Sequence, residues 1–314
     1  HTSCLSDWSS DVCSSDLRNK KIMATQTMGT NFPTKLAEEI FSKVRDKSVL
    51  AKLGTRMPVA FTGTDVFTFS MDSDIALVGE GAAAPHGGIT AAPVSIKPQK
   101  VKYQARVTNE FLTASDEAKI GIIRDFTDGY AKKLGRGLDL MGIHKLNPAT
   151  AAASELITQS FDTTVTNSVS YNSATGGDVA IEGAVALLGD YDPTGLALSK
   201  TFAGILAAET EENGPSKFPE LKWGGQPNVV RGIPSAVAST VGTTNYALVG
   251  DFDAFRWGYA KDIAFKVIEF GNPDNAENGD LQATGQVMLV GEAYIGFGIL
   301  DAAAFAKVVP AASV

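Results

Sequence analysis

The chain has 314 residues, a formal net charge of −8, 20% charged and 44% hydrophobic residues, enough for one large domain or two smaller ones with a substantial core. An acidic balance argues against sequence-tolerant nucleic-acid binding, which relies on Lys and Arg to replace counterions. No apolar run is long enough to span a membrane, and no secretory signal remains once the first residues are set aside.

Those first residues are unlike the rest. The run Asp7-Trp8-Ser9-Ser10-Asp11-Val12-Cys13-Ser14-Ser15-Asp16-Leu17 resembles a literal translation of a common sequencing adapter; a genuine Ser-rich tail would need a coincidence over the whole run. Residues 1–22 are therefore expected to be artefact and untranslated leader, with Met23 as the start and Met28 as a second candidate. Cys4 and Cys13, the 2 cysteines, both fall in this segment. The remainder would have no disulfide, thiol nucleophile or thiolate metal site. The charge does not move, because Asp7, Asp11 and Asp16 leave together with Arg18, Lys20 and Lys21.

From the start onward, residues 32–53 place Leu36, Ile40, Phe41, Val44, Val49, Leu50 and Leu53 close to helical spacing. Residues 65–71 alternate, with Phe67, Phe69 and Met71 on one face and Val66, Thr68 and Ser70 on the other, which predicts a half-buried strand. A Gly- and Ala-rich stretch at 79–88 follows. Then comes a second alternating run at Val94, Ile96, Val101, Tyr103, Ala105 and Val107. Together they predict a long hairpin with a loose tip, which needs something to lie against because an isolated two-stranded hairpin is marginal in water.

Residues 116–146 carry the strongest helical signal: Ile120, Ile123, Phe126, Tyr130, Leu134, Leu138 and Met141 form one apolar stripe. Ser115 or Asp116 can cap its start, and Asn147-Pro148 ends it. Residues 161–171 are Thr- and Val-rich and predict strand. Residues 178–188 read as a helix with Asp178 as N-cap and Gly189 as stop. Residues 196–198 form a short strand, and Ser199 can cap a helix through Ala208 that buries Phe202, Ile205 and Leu206. Strands are predicted at 246–249, 263–270, 286–290 and 294–299, with 251–261 between the first two and a polar turn at 272–280. The mixture lacks a regular βαβ rhythm, which favours an α+β fold.

No motif for metal, phosphate or nucleophilic chemistry appears. His86 and His144 are the histidines outside the leader, and neither has a nameable partner to orient it as a catalytic base. Asp190 with Asp192, Asp251 with Asp253, and Asp274, Glu277 and Asp280 are acid clusters that miss the spacing of a calcium loop. Catalytic residues, cofactors and metals are thus expected to be none. Trp223, followed by Gly224-Gly225, and Trp257 are either interface aromatics or core residues.

Several segments, taken in order, resemble the major capsid proteins of tailed bacteriophages. They are Phe32-Pro33-Thr34-Lys35-Leu36 leading to Lys47-Ser48-Val49-Leu50; Ile75-Ala76-Leu77-Val78-Gly79-Glu80-Gly81; Pro93-Val94-Ser95-Ile96-Lys97-Pro98-Gln99-Lys100-Val101; Val107-Thr108-Asn109-Glu110-Phe111-Leu112; Ala247-Leu248-Val249-Gly250-Asp251-Phe252; and Val287-Met288-Leu289-Val290 running on to Asp301-Ala302-Ala303-Ala304-Phe305-Ala306. The resemblance implies an N-terminal arm at 23–59, an extended β-hairpin loop at 64–103, and a peripheral domain at 104–169 with a spine helix at 116–146 plus returning strands. An axial domain with a central mixed sheet would take most of 170–308. It further implies pentamers and hexamers that build an icosahedral shell around double-stranded DNA, without sequence-specific DNA binding and without a membrane. The virion would be assembled in the host cytoplasm.

The family analogy also implies a portal and possible decoration proteins. Some relatives carry a long N-terminal scaffolding region, whereas Met23 begins almost at the arm, so a separate scaffolding protein is expected. Asn109 stands where many relatives have serine. Phe32, Leu36, Glu80, Gly81, His86, Lys97, Lys100, Trp223 and Trp257 are the candidate inter-subunit contacts. An encapsulin-like nanocompartment shell is the alternative on the same fold, and an enzyme without a recognisable motif is the alternative outside it.

Overall fold

The computed structural model describes residues 43–45, 47–71, 74–83, 86–110, 116–211, 214–242, 244–275 and 279–311. In chain order the elements are α1 (Val49–Leu53), β1 (Thr55–Arg56), β2 (Thr64–Met71), β3 (Ile89–Ile96), β4 (Gln99–Thr108), α2 (Asp116–His144), α3 (Phe161–Thr164), β5 (Ser168–Ser170), α4 (Gly177–Ala186), β6 (Gly195–Ser199), α5 (Lys200–Ala208), β7 (Val229–Val230), β8 (Ile233–Ala238), β9 (Ala247–Gly250), β10 (Phe255–Ile268), β11 (Gln286–Ile299) and β12 (Phe305–Val309). They make a long sheet in the order β1-β10-β11-β4, a compact sheet in the order β5-β12-β9-β6-β8-β7, and the separate hairpin β2-β3. The compact sheet is mixed: β6 runs parallel to β8 and antiparallel to β9. The fold is α+β.

The apolar stripe of α2 does what its spacing predicts. Tyr130, Leu134, Leu138 and Met141 are buried, and Ile123 and Phe126 are partly covered. One core joins this stripe to the long sheet through Phe255, Trp257, Ala293 and Ile295. A second packs α4 and α5 on the compact sheet through Ala184, Phe202, Leu206, Leu198 and Val249. Ser199 caps α5 as predicted, its hydroxyl accepting from the Phe202 N–H at 3.1 Å.

Asp139 ties α2 to α1. Although buried, its carboxylate accepts from Ser48 Oγ (2.6 Å), Val49 N (3.2 Å), Leu50 N (3.2 Å) and Thr240 Oγ1 (2.7 Å). It thereby supplies the otherwise orphaned amides at the start of α1. Burial pushes this carboxyl up from its ordinary value, and the surrounding donors pull it back.

Several local expectations are corrected. Phe161–Thr164 is a helical turn, and only Ser168–Ser170 of the predicted strand is strand. The turn wins because Ser160 and Thr163 form a reciprocal capping box. Helix α4 begins after Gly176 (φ +98°) and not at Asp178, whose carboxylate is drawn to Lys217 Nζ at 2.7 Å. Strand β10 starts at Phe255, so most of 251–261 is strand. Gly258 within it lets β10 pass the chain beside β1, since a Cβ there would sit 1.8 Å from the Met57 carbonyl oxygen. The two strands predicted at 286–290 and 294–299 are one continuous β11.

Candidate inter-subunit surface

The hairpin pairs from Thr64 opposite Ile96 to Met71 opposite Ile89. After Lys97-Pro98 the chain leaves it. Strand β4 pairs antiparallel with β11, Gln99 opposite Ile295 and Thr108 opposite Gln286. The run from Val101 to Val107, expected in the hairpin, therefore belongs to the long sheet.

At the hairpin base, Ile96 is fully buried against β11. A Cβ on Gly298 would lie 2.8 Å from Ile96 Cγ1, and one on Gly296 would lie 3.1 Å from Ile96 Cγ2. Phe61 meets Tyr294 edge-on with ring centroids 5.0 Å apart. The Tyr294 hydroxyl donates to Glu292 Oε1 at 2.8 Å, and Lys100 Nζ sits 3.3 Å from the same carboxylate. The contact with Glu292, reinforced by Tyr294, raises Lys100 above the ordinary lysine value. The Tyr294 hydroxyl, then Lys100, hold Glu292 below the ordinary carboxylate value.

In the shaft the apolar face is the uncovered one. Phe67, Phe69, Met71 and Ile89 are 61%, 74%, 81% and 69% exposed, while Val66 and Thr68 are the half-covered side. Among the described residues nothing covers the aromatic face. The signal that could have found these exposed residues was the alternation itself; which face is covered depends on the direction the hairpin leaves the body. At the tip, Ile75 and Leu77 are fully exposed, and Glu80, Gly81 and His86 are exposed. Lys97 is exposed in the turn before β4.

The remaining candidates separate. Trp223 is fully exposed, in the left-handed region (φ +58°) ahead of Gly224. Trp257 is 2% exposed, donates from Nε1 to the Gly54 carbonyl at 3.3 Å and meets Tyr259 edge-on. Its place is the core of the subunit, the other role weighed for it. Phe32 and Leu36, like residues 23–42 of the expected arm, lie outside the described residues.

His144 has the partner that the sequence could not name. Its Nδ1 is 2.8 Å from Asp162 Oδ2, and its Nε2 is 3.1 Å from the Thr240 carbonyl. Both neighbours only accept, so both ring nitrogens donate and the imidazolium is favoured. A ring held that way lacks the free lone pair of a general base. Among the described residues no group of three or more His, Cys, Asp or Glu could hold a metal, and no helix is long and apolar enough to cross a membrane.

Arg106 is a clamp that sequence reading missed. It donates to both Asp274 oxygens (2.9 and 2.5 Å), to Asn272 and to the Gly279 carbonyl, closing the polar turn onto β4.

The run of exposed apolar side chains on the hairpin is a surface suited to being covered by another molecule. The comparisons agree. The sequence matches the Phage capsid family over residues 29–309, and the chain belongs to that family. A solved chain from Mycobacterium phage Ogopogo is 33% identical, with a TM-score of 0.71 over 84% of this chain and 92% of that one. One from Gordonia phage Cozz is 22% identical, with a TM-score of 0.70 over 85% and 87%. A structure titled as the capsid of an empty GTA particle is 17% identical, with a TM-score of 0.63 over 85% and 90%. No curated protein matches the chain. The protein is a phage capsid protein, structural and not enzymatic, that builds the virion shell from copies of itself.

Proposed function

We propose that the chain is the major head protein, assembling as pentamers and hexamers into an icosahedral shell around double-stranded DNA, and that the hairpin is its principal inter-subunit arm. The observation that carries this reading is the apolar hairpin face, with Phe69 at 74% and Met71 at 81% exposure. Such a surface costs free energy in water at roughly 25 cal/mol per Å² and is recovered only when a neighbour covers it. Glu80, Gly81, His86, Lys97 and Lys100 along the hairpin and its root, with Trp223 on the separate loop after α5, are the contact residues. Phe32 and Leu36 are their counterparts on the arm at 23–59.

The division into arm, extended loop at 64–103, peripheral domain at 104–169 plus returning strands, and an axial domain taking most of 170–308 follows the family resemblance; β10 and β11, which join β4 in the long sheet, are the returning strands of that reading, and the compact sheet is its axial one. Assembly in the host cytoplasm, with a separate scaffolding protein, a portal and decoration proteins, completes the proposal. Its test is negative-stain electron microscopy of the chain from residue 23 onward, alone and with a scaffold encoded beside it. Closed shells or capsomer rings are expected. Monomers under every condition would overturn it, as would normal shells from a chain lacking residues 79–88.

A further inference from the structure

The net charge of −8 is not spread evenly. Residues 129–138 of α2 carry Lys132, Lys133 and Arg136 and no acid. Residues 43–52, which lead into and begin α1, carry Lys43, Arg45, Lys47 and Lys52 against Asp46. The fold brings these two runs together. The lead-in to α1 crosses α2 at Gly135, where a Cβ would lie 3.2 Å from Lys47 Cβ and 3.2 Å from the Val44 carbonyl oxygen. Two positions on, a Cβ at Gly137 would lie 3.4 Å from Pro148 Cγ. Between those two contacts α2 leaves a strip open to water. Lys132, Lys133 and Arg136 stand on it, exposed, with Arg45 and Lys47 exposed at its border.

These five cations have no ion-pair partner among the described residues. The acids nearest to them on α2 are already engaged. Asp128 takes Lys43 at 2.5 Å, and Asp139 is buried among its own donors. Asp125 is seven positions before Lys132, about 10 Å along the helix at 1.5 Å per residue. Like charges gathered without counter-charges repel one another, and an anion laid over the strip relieves that repulsion.

The strip also indicates which kind of anion fits. A protein segment draws most of its binding energy from an aromatic or aliphatic anchor. Among the described residues of α2 the exposed large apolar side chain is Ile122, ten positions before Lys132, so the strip offers no such anchor. A nucleic-acid duplex needs only fixed cations, because it presents one negative charge per about 1.7 Å of its axis. From Lys132 to Arg136 the helix advances about 6 Å, a length over which a duplex presents about three or four charges.

We propose that this strip faces the lumen of the shell and touches the phosphate backbone of the enclosed double-stranded DNA. The proposal rests on the shell reading above and adds the face that lies against the contents. Phosphate contacts of this kind carry no sequence information. They are few per copy, in keeping with the acidic chain, and act through the number of copies that one duplex meets.

The first test measures binding of the unassembled full chain to a short random-sequence duplex over a range of salt. The variant K132Q/K133Q/R136Q is expected to keep the wild-type melting temperature and shell yield, while its plot of log binding constant against log salt becomes shallower by about 2–3. The variant K200Q/K222Q/R231Q loses the same charge from exposed positions on the compact-sheet side and should keep the wild-type slope. The second test needs no variant. Formaldehyde treatment of DNA-filled wild-type particles should join DNA to peptides carrying Lys47, Lys132 or Lys133 in preference to those carrying Lys200 or Lys222.

An unchanged slope in the strip variant, or an equal change in the compact-sheet variant, would overturn the DNA contact and leave the shell reading intact. Coupling of the strip lysines to a co-assembled acidic protein and not to DNA would overturn it too, giving the strip to that protein. A folded strip variant that forms no shells would make the strip a contact between subunits, with the same consequence. A wild-type chain that never forms particles would instead remove the shell reading, and the lumenal face with it.

Discussion

Ile96 lies across Gly298: a side chain at position 298 would begin 2.8 Å from Ile96 Cγ1, and Ile96 itself is fully buried. The hairpin root is thus seated in a gap that β11 leaves by having no side chain there. The direction of the arm follows from that seat, because β3 ends at Ile96 and its strand partner ends at the same level.

Gly298→Ala should push Ile96 out of its seat, costing about 1–3 kcal/mol by overpacking. Ile96→Ala should cost about 2–4 kcal/mol through the cavity it leaves. Chemical denaturation of the unassembled subunit measures both. Equal stability of Gly298→Ala and wild type would show that the seat is slack.

Removal of Asp139 should be among the most damaging single changes. Asp139→Ala leaves Ser48, Thr240 and the amides of Val49 and Leu50 without their acceptor, a loss of about 3 kcal/mol or more at roughly 1–3 kcal/mol for each buried unsatisfied group. A urea midpoint shift well below that of Ile96→Ala would contradict the hub role.

Stability should depend on pH through His144 and Asp162. Burial alone would lower His144, but hydrogen bonding to Asp162 outweighs it and the net direction is up. A raised folded value means that its contribution is fully present below about pH 6.5 and is lost as pH rises through the raised value. Burial alone would raise Asp162, but His144 and Asn245, aided by Lys307, take it down. That contribution is present above about pH 3.9 and is lost as pH falls through the lowered value. The denaturation midpoint should therefore be highest between about pH 4 and 6.5 as far as this pair is concerned. The variant H144Q should flatten the fall on the alkaline side; an unchanged slope would mean that the pair is not coupled.

Replacing Phe67, Phe69 and Met71 together by serine should change subunit stability by no more than about 0.5 kcal/mol, since all three are exposed. Shell formation should nevertheless be lost. Calorimetry on the subunit and electron microscopy on the assembly mixture separate the two effects, and a large drop in melting temperature would place this face inside the subunit fold.

Periodicity located α2, the Ser199 cap and the alternating strand at Phe67, because each is a pattern among neighbours in sequence. It failed where local signals conflict. Thr and Val favour strand over 161–171, yet the Ser160–Thr163 box makes residues 161–164 a helical turn. Two strands are expected at 286–290 and 294–299, yet β11 runs unbroken from Gln286 to Ile299.

By itself the sequence determined the α+β class, the long amphipathic helix, the hairpin and the family. It could not say which hairpin face stays uncovered, that β4 leaves the hairpin for β11, or that Trp223 points out while Trp257 is enclosed. Nor could it join Arg106 to Asp274, separated by 168 residues, or Ser48 to Asp139, separated by 91. Secondary structure answers to side chains a few positions apart, whereas partner choice and burial answer to how the whole chain closes around its cores.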